Sequence, residues 1–175
     1  MIKEKVGFTL TELMAVVIIV SILAVLGAGY YRKSVEQSRF TEILANTNAV
    51  AESLNRYIME KQAEGLALEN IPAPNFTDLD ISFASCGKSN VCDIKGRYRI
   101  TLNPFQFMVG GRPTQGLFSG GNAYTISVNS HFVAPKDRVA CSFGSGNQEA
   151  HSFCESMGFT QCEEGNPVMC TQPIR

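Results

Sequence analysis

Apolar side chains run almost unbroken near the start of the chain. From Phe8 to Leu26 fifteen of nineteen residues are apolar, the exceptions being Thr9, Thr11, Glu12 and Ser21, and no charge occurs from Leu13 to Tyr31. As a helix, that run extends about 28 Å, close to the ~30 Å hydrocarbon thickness of a bilayer. Further along the pattern becomes a stripe. Phe40, Ile43, Leu44, Thr47, Val50, Ala51, Leu54, Tyr57 and Ile58 recur at helical spacing, with Arg39, Glu42, Glu52, Arg56 and Glu60 between them. No Pro intervenes before Pro72, and Gly65 supplies a stop. The pattern predicts one long helix from Phe8 to about Ala63, apolar all round in its first half and amphipathic in its second.

Beyond the helix the periods are shorter. Leu66 to Lys95 reads as loop, carrying Pro72, Pro74, Asn75, Asp78 and Asp80, the two acids taken as solvated. Arg97 to Leu102, Phe105 to Val109, Ala123 to Val128 and Val139 to Phe143 read as strands, and Gly110-Gly111-Arg112-Pro113 as a hairpin turn. Gly144 to Arg175 has little regular period, apart from a short helix expected around Gln148 to Met157. The expected fold class is α+β. A long N-terminal helix, transmembrane in one half and amphipathic in the other, packs on a small antiparallel sheet of three or four strands, followed by a disulfide-rich C-terminal loop region. Gly27 and Gly29 lie where the two halves meet; close packing of small residues and a segment that unwinds under load are both open readings.

Composition narrows the function. At 175 residues the chain holds one core, not two, and its net charge of −1 offers no clear nucleic-acid site. All six cysteines lie beyond residue 85, at Cys86, Cys92, Cys141, Cys154, Cys162 and Cys170, with no C-x-x-C pair and no metal-type His spacing. Disulfides in an exported domain are the preferred reading. Six cysteines admit many connectivities, of which the sequence-local one (Cys86 with Cys92, Cys141 with Cys154, Cys162 with Cys170) is preferred. Neither a nucleophile elbow, a P-loop, an H-E-x-x-H motif nor a dinucleotide fingerprint occurs. Gly144-Ser145-Gly146 reads as a turn. No enzyme activity, metal or cofactor is expected.

Glu12 bears on what the apolar run does. A secretory signal peptide would also place Lys3 and Lys5 before such a run, with a cut near Leu26-Gly27-Ala28. An acid inside it argues otherwise, because a carboxylate at bilayer depth costs about 2.5–3.5 kcal/mol and marks a functional candidate. Lys3-Glu4-Lys5-Val6-Gly7-Phe8-Thr9-Leu10-Thr11-Glu12 resembles the type IV prepilin signature: a short charged leader ending in Gly, then Phe, a Thr-Leu-rich start and Glu, with the apolar stretch behind. The resemblance covers about the first quarter of the chain, and major pilins, minor pilins and the pseudopilins of type II secretion share it.

The resemblance implies a prepilin peptidase that cuts between Gly7 and Phe8 and methylates the new amino terminus at Phe8. Glu12 becomes the assembly acid, answered by the freed amine of a neighbouring subunit. Residues 1–7 are then the leader, 8–29 the transmembrane and assembly helix, and 30–175 the globular head. A homo-oligomeric helical filament, the peptidase and the pilus assembly machinery are the implied partners. The implied location is the bacterial inner membrane before assembly and an extracellular fimbrium afterwards; cell adhesion, twitching motility, DNA uptake and aggregation all use subunits of this kind, and no surface motif chooses among them. Pilins often close a C-terminal loop with one disulfide, whereas three are expected here. A pseudopilin of a type II secretion system and an exported disulfide-rich binding module are the alternatives.

Overall fold

The computed structural model describes residues 8–83, 86–103, 107–129 and 139–173. The chain divides into two units, residues 1–38 and 39–175. One helix, α1 (Leu10–Ala63), contributes to both.

In the first unit α1 continues through Gly27 and Gly29 without interruption, so neither glycine breaks the helix. Every residue from Phe8 to Ser34 is exposed. This stretch is long and apolar enough to cross a membrane. Ser21, its one mid-span hydroxyl, donates to the Val17 carbonyl at 2.7 Å and so presents no unsatisfied donor to lipid.

The second unit is α+β. Among the described residues, seven strands follow α1: β1 (Val91–Ile94), β2 (Tyr98–Asn103), β3 (Met108–Pro113), β4 (Thr125–Asn129), β5 (Val139–Phe143), β6 (Gln161–Glu163) and β7 (Val168–Thr171). A short helix, α2 (Gln148–Ser156), lies between β5 and β6. The strands form one sheet in the order β1-β2-β3-β4-β5-β7-β6, antiparallel throughout.

Helix α1 ends where its sequence says it should. Gly65 takes φ 92°, and two backbone bonds close the last turn, Gly65 N to Gln62 O at 2.9 Å and Leu66 N to Lys61 O at 3.1 Å. Those are the paired contacts of a Schellman stop. The buried stripe comprises Phe40, Ile43, Thr47, Val50, Leu54 and Ile58. Together with Ile100, Leu102, Val109 and Ile126 from β2, β3 and β4, it forms one core, where each large side chain is worth roughly 1.5–3 kcal/mol. Phe40 is ringed by aromatic neighbours, its centroid 5.3 Å from Tyr124, 5.7 Å from Phe153 and 5.8 Å from Phe159. Thr47 spends its hydroxyl on the Ile43 carbonyl at 2.7 Å, which lets a polar residue occupy the buried face.

The sheet is larger than the sequence pattern predicts. Strands β2, β4 and β5 match the expected runs, but β1, β6 and β7 fall in segments that read as loop and tail. Gly110 and Gly111 do not form a hairpin turn; they lie inside β3, paired with Thr101 and Ile100 on one side and Ser127 and Ile126 on the other. Pro104, Phe105 and Gln106 lie outside the described residues, so of the expected strand Phe105–Val109 only Met108 and Val109 are seen in β3. The turn between β1 and β2 is instead built on Lys95 and Gly96, both at positive φ (52° and 66°), as a type I′ turn requires.

Candidate assembly site at the helix start

Helix α1 begins at Leu10 because Thr9 caps it. Thr9 Oγ1 accepts from the Glu12 backbone N at 3.3 Å, and Glu12 Oε2 accepts in return from Thr9 N at 2.9 Å and from Thr9 Oγ1 at 2.7 Å. This reciprocal arrangement is a capping box, satisfying two orphan donors of the first turn. Thr11 Oγ1 stands 3.1 Å from Thr9 Oγ1 and extends the hydroxyl cluster. Thr9-x-x-Glu12 spells this capping signature in the sequence itself.

The consequence is an oriented acid. Glu12 is the single charged side chain among residues 8–31, and its carboxylate is turned toward the amino-terminal end of its own helix, where the positive pole of the helix dipole also favours it. Phe8, directly before the cap, is 81% exposed. Gly7 lies outside the described residues.

The six cysteines form three bridges, Cys86–Cys92, Cys141–Cys154 and Cys162–Cys170. The first ties β1 to the loop before it. The second fastens α2 to β5, and the third joins β6 to β7. Cys141 and Cys170 are directly opposite in the β5–β7 pairing, so the last two bridges grip neighbouring positions. His151 Nε2 lies 3.5 Å from Cys162 Sγ and 3.4 Å from Glu155 Oε1. Its ring stacks on Phe143 at 5.3 Å. Because both nearby sulfurs are committed to a disulfide, this His–Cys–Cys cluster is not a ligand set in the oxidised chain.

The two loop acids do structural work. Asp78 accepts from Asn75 N at 2.8 Å within a second capping box. Asp80 takes both prongs of Arg56, at 2.5 and 2.9 Å, and a short hydrogen bond from Ser53. The Arg56 guanidinium, and after it the Ser53 hydroxyl, hold the Asp80 carboxyl at about 2. Surface hollows lined by Tyr57, Glu60, Lys61, Pro72 and Asp78 flank this pair. Gly144-Ser145-Gly146 forms the exposed turn entering α2, with Asn147 N bonded to Gly144 O at 3.1 Å.

No family model, curated protein or solved structure matches this chain.

Proposed function

We propose that this chain is a structural subunit of a type IV pilus filament, resident in the inner membrane until its leader is removed and then polymerised into an extracellular fimbrium. One observation carries the reading: an apolar helical stretch with every side chain from Phe8 to Ser34 exposed, holding one acid that faces its own amino-terminal end. Soluble monomers rarely leave so large a contiguous apolar surface uncovered. Lipid covers it before assembly, and sister helices cover it afterwards. In the bundle Glu12 loses water and needs a cation. Cleavage between Gly7 and Phe8 supplies one, as the free amine of a neighbouring copy, and removes Lys3, Glu4 and Lys5 from the bundle. A buried pair of this kind sets axial register, as a buried polar residue does in a coiled coil.

Among proteins sharing the signature, a pseudopilin of type II secretion is the second reading. The three disulfides of the head favour the pilin, since the major pseudopilins usually have a calcium-binding C-terminal region and no cysteine-rich loop. Electron microscopy of shed fibres with mass spectrometry of their subunit tests the proposal. The expected result is a fibre whose subunit begins at N-methyl-Phe8. A soluble monomer starting near Gly29 or Tyr30 overturns it and selects an exported binding module.

A further inference from the structure

Among the described residues from Cys86 on, charge is sorted across the sheet; Lys136, Arg138 and Arg175 lie outside them. Among the described residues 86–129, Lys88, Lys95, Arg97, Arg99 and Arg112 face a single acid, Asp93. Among the described residues 139–173 there is no Lys or Arg at all, against Glu149, Glu155, Glu163 and Glu164. The basic set belongs to the β1–β3 side and the acidic set to α2 and β6, and β1 and β6 are the two edges of the same sheet. All nine of these Lys, Arg and Glu side chains are exposed.

Internal pairing answers only part of this charge. Arg97 pairs with Glu42 at 2.9 Å and Arg99 with Asp93 at 2.9 Å. Lys88, Lys95 and Arg112, like Glu149, Glu163 and Glu164, make no ion pair among the described residues. Arg99 and Arg112 are moreover directly opposite in the β2–β3 register. Two like charges at opposed positions destabilise a sheet. Asp93 answers Arg99 and the Gly120 carbonyl accepts from Arg112, but no carboxylate among the described residues pairs with Arg112, and an acidic partner would supply one.

We propose that the β1–β3 side of one head docks against the α2–β6 side of a second copy, with Lys88, Lys95 and Arg112 meeting Glu149, Glu163 and Glu164. Complementary patches on opposite edges make the contact heterologous, so it propagates in one direction and does not close a dimer. This rests on the filament reading above and specifies which surfaces the heads use. It also accounts for two exposed sheet edges in one small domain: charge blocks promiscuous strand pairing while selecting one partner.

A zero-length carbodiimide, which joins only amines and carboxylates in direct contact, tests it on sheared filaments of the whole chain. Within one head β1 and β6 are about 29 Å apart along the sheet at ~4.8 Å per strand. Any Lys88 or Lys95 peptide linked to Glu163 or Glu164 therefore joins two copies. We expect such peptides in the mass spectrum. We also expect about tenfold fewer filaments from either the Lys88→Glu/Lys95→Glu/Arg112→Glu or the Glu149→Lys/Glu163→Lys/Glu164→Lys chain, and recovery when the two sets are combined. Intact filaments that yield no such crosslink overturn the proposal and leave the filament reading standing. So does failure of the combined chain to recover while each parent is still inserted and processed, or binding of duplex DNA by the basic edge with no crosslink. If the wild-type chain forms no fibre at all, the filament reading falls and this proposal falls with it.

Discussion

Gly111 in β3 lies hard against Thr47 on α1. A methyl group built on Gly111 collides with Thr47 Oγ1 and comes within 2.6 Å of Ile43 Cγ2. The helix crosses the sheet at this point because the strand offers no side chain there. Gly111→Ala should therefore destabilise the head by about 1–3 kcal/mol through overpacking. Gly110→Ala is the control, since its added methyl meets Thr125 Cγ2 at an ordinary 3.6 Å. Thermal unfolding of both variants checks this, and equal midpoints would show that the helix is not seated as described.

The capping box gives a second expectation. Thr9→Ala removes both hydroxyl contacts to Glu12 and should cost the helix start about 1 kcal/mol, while Thr9→Ser retains them. Amide hydrogen exchange at residues 10–13 in detergent is the readout. Unchanged exchange in Thr9→Ala would mean that the cap does not hold the first turn.

Glu12→Ala should still insert into the membrane and lose its leader, yet assemble few or no fibres. Fibre counts at the wild-type level would defeat the pairing of Glu12 with a neighbour's amine. In the opposite sense, Gly7→Val should leave the leader attached. The intact mass of the membrane-bound subunit distinguishes the two variants.

Asp80 makes a prediction about pH. Its folded-state value of about 2 lies below the ordinary 3.8, so its contribution is fully present above about pH 4 and lost as pH falls through 2. Both partners are more than half exposed, which keeps the effect small. Asp80→Asn should lower the thermal midpoint at pH 7 by no more than a few degrees, and the difference from wild type should vanish near pH 2.

Reduction should loosen the part beyond Cys141 well before α1. There the chain holds two of the three bridges, short strands and the short helix α2. Limited proteolysis with and without reductant is the measurement, and equal resistance would count against it.

Long-range pattern made the helix legible, and short strands without alternation hid part of the sheet. The 3–4 spacing from Phe40 to Ile58 predicted both the helix and its buried face, because that stripe has only one way to leave water. Gln161–Glu163 is exposed throughout and Val168–Thr171 does not alternate cleanly, so neither announced itself. They are in the sheet because Cys170 lies opposite Cys141 in the β5–β7 register and its disulfide to Cys162 carries β6, which is tertiary information. Gly110-Gly111 departs from its expected turn for a related reason: two adjacent glycines commonly mark a turn, and the helix crossing at Gly111 explains their place inside a strand. At the helix start the Thr9-x-x-Glu12 spacing spells the capping box locally, a signal separate from the place of Glu12 in an apolar run.

The three bridges each span a short exposed stretch, including Glu164-Gly165-Asn166 between Cys162 and Cys170. An extracellular protease that nicks the backbone inside such a stretch frees no fragment, because both new ends stay covalently tethered. Damage of this kind would be invisible until the thiols were regenerated, and a weathered surface could go on holding its form.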